Sequence, residues 1–169
     1  VSPFNVPTEK FPDKTHELTI PEIKAISIKF GEAAYRAKIA GYDGVEIHAA
    51  HGYLINQFLS PYFNRRKDSY GKEREGRMKF LKEIIDEVKE KAGSDYPIIV
   101  RLSVEEYLPG GLDLKESCII VQEMVKWGVS AIDVSRGTFE AVEYTLEGMD
   151  HPMGCRVGLA EKIKKCVSV

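Results

Sequence analysis

The stretch His48-Ala49-Ala50-His51-Gly52-Tyr53 brings two imidazoles and a phenol together within six residues. All three side chains can donate protons. Such a cluster could hold a carbonyl oxygen by two imidazole hydrogen bonds while the phenol, with an ordinary pKa near ~10, gives a proton to a developing carbanion. The His48-x-x-His51 spacing also suits a metal, as in a metal-dependent barrel hydrolase, although no HExxH glutamate or third ligand stands nearby. A blander role is open as well: imidazoles at a strand end that only hydrogen-bond backbone in a non-catalytic scaffold. Spacing alone leaves these readings side by side.

Arg101 is the next residue of interest, because it interrupts the aliphatic run Ile98-Ile99-Val100-Arg101-Leu102-Ser103. A guanidinium buried there without a partner would be costly. Its partner is either Glu46 on a neighbouring strand or an anionic ligand or cofactor. The mixed charges of Arg65-Arg66-Lys67-Asp68 read as solvated loop. Met124 and Trp127 read as core.

These residues must be positioned by regular elements, and the periodicity supplies them. Residues 1–18, with Pro3, Pro7 and Pro12, form an irregular lead-in. Thr19 and Glu22 have capping-box spacing, and Ile23, Ile26, Phe30, Ala33, Ala34 and Ala37 recur at helical intervals until Gly41. The alternation in Gly44-Val45-Glu46-Ile47-His48 suits a short strand with Glu46 and His48 on one face. A second helix carries Met78, Leu81, Ile84, Ile85 and Val88 and stops at Gly93. Residues 98–103 then read as a strand covered on both faces of a parallel sheet. Asp113 and Glu116 open a third helix with the stripe Leu114, Cys118, Val121 and Val125, ended by Gly128. Ala131 to Ser135 is a further strand, and a last helix covers Gly158 to Lys165.

Helix and strand thus alternate as in βα units with no composition break, so the fold class is parallel α/β in a single segment over 1–169. An open doubly wound sheet and part of a (β/α)8 barrel both fit. Polar residues at all three strand ends, His48, Arg101 with Ser103, and Ser135 with Arg136, favour the active rim of a partial TIM barrel. No GxGxxG or P-loop pattern supports the open sheet.

The 169 residues are 43% apolar and 30% charged, with 24 basic against 26 acidic side chains, which suits a globular domain with a sizeable core. The near balance of charge argues against nucleic acid as a partner. No apolar run approaches the ~20 residues of a membrane helix, and the N-terminus lacks a signal-peptide pattern, so the expectation is a cytoplasmic protein. Cys118, Cys155 and Cys166 are odd in number and share no CxxC spacing, which predicts reduced thiols.

The run from Ala40 to Pro61, containing Gly44-Val45-Glu46-Ile47-His48-Ala49-Ala50-His51-Gly52-Tyr53, closely resembles the fourth-strand signature of the old yellow enzyme family of FMN oxidoreductases. Asn64, Arg66, Asp68, Tyr70 and Gly71 resemble the family's following loop, Val100-Arg101-Leu102-Ser103 its fifth strand, and Asp133-Val134-Ser135 its sixth. The His-Ala-Ala-His-Gly-Tyr form and Pro152-Met153-Gly154-Cys155 look most like the NADH:flavin oxidoreductase and 2-enoate reductase branch. The resemblance implies an ene-reductase that passes hydride from NADH or NADPH through FMN to the activated C=C of an α,β-unsaturated carbonyl or enoate. His48 and His51 would bind the substrate's oxygen, Tyr53 would protonate its α-carbon, and Arg101 would face the N1 and C2 carbonyl side of the flavin. A histidine at position 48, where the amine-dehydrogenase branch usually has tyrosine, favours alkene reduction.

One departure is Gly71-Lys72-Glu73-Arg74-Glu75-Gly76-Arg77, where the family usually has Gly-Gly-Ser-Leu-Glu-Asn-Arg. The expected serine cap is missing, while Arg77 is kept. The resemblance places this chain in the centre of the family's barrel, from before the fourth strand to just ahead of the seventh. The FMN phosphate site and the 4Fe-4S segment of longer relatives would then lie outside it. The fragment alone is expected to be inactive, and to form homo-oligomers that cover exposed barrel edges.

Overall fold

A computed structural model describes residues 1–4, 15–146, 148–149 and 151–169. Pro7 and Pro12 of the lead-in lie outside the described residues, and Ser2 bridges to Glu17. Helix α1 (Ile20–Ile39) starts on the capping box read from Thr19 and Glu22 and is closed by Ala40 and Gly41, whose φ is 89°. Strand β1 (Val45–Ala49) leads to a six-residue helix α2 (Leu54–Leu59) that the periodicity did not announce. Helix α3 (Arg74–Ala92), strand β2 (Ile98–Ser103), helix α4 (Leu114–Lys126) and strand β3 (Ala131–Ser135) follow. A single turn, α5 (Val142–Thr145), precedes α6 (Val157–Cys166).

The strands form one parallel sheet in the order β1-β2-β3. Its register gives each face a distinct job. Ile47, Val100 and Ile132 align on one face, as do Ala49, Leu102 and Val134, and this face packs on the helices. His48, Arg101 and Asp133 align on the other, followed by Ser103 beside Ser135. β2 is therefore not covered on both faces: Ile98, Val100 and Leu102 are buried, whereas Ile99 and Arg101 are partly exposed. The register also settles the partner of Arg101. Glu46 sits opposite Ile99, and the carboxylate that meets Arg101 belongs to Asp133, 3.4 Å from Nε.

The core joins Phe58, Phe80, Leu81, Ile84 and Ile85 to the apolar face of the sheet. α1 lies against α3 closely enough that a Cβ on Gly31 would stand 2.6 Å from the Glu87 carbonyl oxygen. On α4 the buried stripe is Ser117, Ile120, Val121 and Met124, with Leu114 and Cys118 at its margin and Trp127 partly buried at the C-cap.

Two expectations are corrected. Arg66 is not solvated: its Nη1 donates to the carbonyls of Pro3 and Leu18 at 2.8 and 2.7 Å, and it grips Asp68 with Nε and Nη2 at 3.1 and 2.6 Å. One guanidinium thus ties the lead-in to the loop before α3. The cysteines are not all reduced either, since Cys118 of α4 and Cys166 of α6 form a disulfide. Their sequence separation of 48 hides a contact that the packing of α6 on α4 creates.

The missing serine cap also has its consequence. Glu73 caps α3 without a side-chain hydrogen bond, and the helix start is held by Arg74 and Arg77, which both reach Glu116 of α4. No described helix is long and apolar enough to cross a membrane.

Candidate active site

The site forms where the three strands end. β1 stops at Ala49, and the chain reverses through His51 and Gly52, whose φ values are 62° and 79°. A β-carbon at Gly52 would also stand 3.1 Å from Phe139 Cδ2, so glycine answers both the backbone and the space. The strained His51 peptide is held from outside: its N–H donates to Ser103 Oγ at 3.0 Å, and Ser103 donates to the Gly137 carbonyl at 2.8 Å.

This turn gathers the three predicted donors. The His48 ring lies 5.2 Å from that of His51 and 5.1 Å from that of Tyr53, centroid to centroid. Tyr53 leans edge-on against Phe139 at 4.9 Å and is 50% exposed. Beside it opens a cleft of about 340 Å³ lined by Leu54, Gln57, Phe63 and Phe139.

The electrostatics keep both imidazoles neutral at pH 7. Burial, then the neighbouring His48, Arg101 and Arg156, push His51 down from 6.5 to about 4. Burial and Arg101 push His48 down as well. A neutral imidazole donates from one nitrogen only, so the tautomer matters. His51 Nε2 lies 2.6 Å from Ser135 Oγ, which accepts a hydrogen bond from Arg156 Nη1 at 3.0 Å. Ser135 can spend its hydroxyl proton on Nε2, which leaves Nδ1–H as the donor.

Arg101 stands in register between His48 and Asp133, and its buried Nε has no hydrogen-bond partner despite the nearby carboxylate. Ser103 and Ser135 were legible as polar strand ends, whereas Asp133, Asn56, Glu106 and Arg156 were not assigned to the site from sequence. Asn56 was hidden within an apolar run, and Glu106 within the loop after β2. Among the described residues no group of three or more His, Cys, Asp or Glu side chains is gathered to hold a metal ion, so the hydrolase reading gains no third ligand.

The sequence profile of the NADH:flavin oxidoreductase / NADH oxidase family covers residues 3–167, and the chain belongs to this family, that of the old yellow enzymes. Its sheet and helices are part of the (β/α)8 barrel of those proteins. The chain is 47% identical over 169 residues to the NADH oxidase of Thermoanaerobacter brockii, all of this chain matching 26% of that one. Among solved structures it is similar to a 2-naphthoyl-CoA reductase in complex with 2-naphthoyl-CoA, with TM-score 0.87 and 30% identity over 98% of this chain and 25% of the other. It is also similar to the old yellow enzyme homologue from Zymomonas mobilis, with TM-score 0.71 and 30% identity over 92% of this chain and 42% of the other.

Proposed function

We propose that the protein carrying this chain is an FMN-dependent reductase that uses NADH or NADPH to reduce the C=C bond of α,β-unsaturated carbonyl or enoate substrates. The observation that carries this reading is the convergence of two neutral imidazoles and an exposed phenol at one strand end, in register with Arg101. A neutral pair of N–H donors suits a carbonyl oxygen that gains negative charge during reaction, because the donors are already in place when the charge develops.

The residues present fit FMN. Arg101 offers a guanidinium with an unsatisfied buried Nε on the same face as His48, suited to the electron-rich pyrimidine side of an isoalloxazine ring. FMN, when bound, supplies the hydride that reaches the β-carbon and is itself recharged by NADH or NADPH. His48 and His51 hold the carbonyl oxygen and so draw electron density from the alkene. Tyr53 delivers its phenolic proton to the α-carbon, and its exposed ring lets solvent reprotonate the phenolate. The aromatic cleft beside Tyr53 accommodates the body of an apolar substrate.

The test is turnover of an enone by the FMN-loaded protein with NADH or NADPH in deuterated water. Solvent deuterium should appear at the α-carbon and cofactor hydrogen at the β-carbon. Oxidation of NAD(P)H without any saturated product would overturn the reading.

A further inference from the structure

Glu106, just beyond β2, is fully buried and takes no part in the chemistry above. Its Oε2 accepts hydrogen bonds from Ser60 Oγ at 2.7 Å and the Leu112 N–H at 2.8 Å. Its Oε1 accepts from Asn56 Nδ2 at 3.0 Å. Asn56 is fully buried too, and its Oδ1 receives the Gly52 N–H at 2.6 Å. The chain of bonds therefore ends between His51 and Tyr53.

That peptide needs outside support. His51 and Gly52 both have positive φ, a conformation that is strained for a non-glycine residue and persists only when its surroundings hold it. Ser103 secures the His51 N–H, Asn56 secures the Gly52 N–H, and Gln57 Nε2 donates to the Gly52 carbonyl at 2.7 Å. Among the described residues, the Asn56 amide nitrogen finds its acceptor in Glu106. Burial pushes the Glu106 carboxyl up to about 7, a cost that an apolar residue would not carry but that brings an acceptor for three donors.

We propose that Glu106 is a positioning residue for the acid-base cluster: through Asn56 it fixes the Gly52 peptide, and with it the angle at which His51 and Tyr53 meet the substrate. The role in turnover rests on the alkene-reductase reading; the tie to Gly52 does not.

The test exchanges donor and acceptor in the FMN-loaded protein. Measured at about pH 8.5, above the value of about 7 for Glu106, Asn56→Asp sets two carboxylates face to face, and Glu106→Gln leaves one donor facing another whichever way its amide turns. The double variant N56D/E106Q restores the bond in reverse, with the new amide donating to the new carboxylate. Each single variant should slow enone reduction by about tenfold to a hundredfold, the scale of misplacement by an ångström. Reduction of ferricyanide, which needs no proton at carbon, should change by less than about twofold, and the double variant should recover most of the enone rate. Hydrogen exchange at the Gly52 amide should be slow in the wild type, faster in each single variant and slow again in the double. Unchanged enone rates in the single variants, or parallel loss of both activities without recovery in the double, would overturn the proposal. A wild type that reduces ferricyanide but no enone would overturn the alkene-reductase reading and the catalytic half of this proposal, and Gly52 exchange would then decide the tie by itself.

Discussion

Neutral imidazoles make the site what it is, and their neutrality has a cause in each case: burial first, then neighbouring cations. Ser135 adds direction, because its hydroxyl can face Nε2 of His51 while accepting from Arg156. Ser135→Ala should weaken enone binding about five- to tenfold, one hydrogen bond's worth of orientation, with flavin reduction by NADH retained. Titration of the oxidised protein with a non-reducible enone analogue checks this, and unchanged affinity would show that the tautomer is set elsewhere. The depressed pKa of His51 also has a signed effect on stability. Its folded value near 4 lies below the ordinary 6.5, so the unfolded chain binds the extra proton between these limits. The contribution is complete above about pH 6.5 and is lost as pH falls towards 4. Glu106, raised from 4.5 to about 7 by burial, acts in the opposite sense and destabilises as pH rises through that window. Comparison of the wild type with His51→Gln isolates the histidine, since Glu106 is common to both: denaturation midpoints from pH 6.5 down to 4 should fall less in the variant. The cluster itself was plain in the sequence because its three members lie within six residues. Glu106, Asn56 and Arg156 were not, because their roles depend on contacts between positions far apart in the chain.

At the scale of elements, the most informative feature is the start of α3. Without a side-chain cap, its first turn is secured by Arg74 and Arg77 on Glu116 of α4, while Arg77 also donates to the Leu59 and Lys72 carbonyls at 3.0 and 3.3 Å. Arg77→Ala leaves a carboxylate and two carbonyls short of donors and should cost about 3 kcal/mol. Glu116→Gln should cost less, because the amide still accepts from an arginine. Urea denaturation compares the two, and equal midpoints would show that the guanidinium does not hold α3 in place. Sequence periodicity located α1, α3, α4 and all three strands because each carries several apolar residues at a fixed interval. It missed α2 and α5, which are too short to repeat. Arg66 was misread for a related reason: the backbone carbonyls it binds, at Pro3 and Leu18, are 63 and 48 residues away. Charge pattern alone cannot show a cation that is buried by binding distant backbone carbonyls as well as a nearby carboxylate.

For the molecule as a whole, the parallel three-stranded sheet presents one packed face and one polar face, and among the described residues β1 and β3 have no further strand beside them. Unpaired parallel edges, with Ile99 of β2 and Ala131 of β3 partly exposed, invite pairing. The 169-residue chain on its own should therefore associate in solution. Light scattering checks this, and a stable monodisperse monomer would count against it. The chain spans 26% of the NADH oxidase it matches, so the chemistry is best examined in the FMN-loaded protein. With Tyr53 as the proton donor to carbon and His48 and His51 holding the oxygen, loss of one phenol should separate the two half-reactions. The most direct measurement is rapid mixing of Tyr53→Phe, first with NADH and then, once reduced, with an enone. Flavin reduction should change by less than about twofold, and reoxidation by the enone should slow by about a hundredfold or more, the usual worth of a positioned general acid. Reoxidation at the wild-type rate would show that the proton comes from another group and that Tyr53 is not the donor.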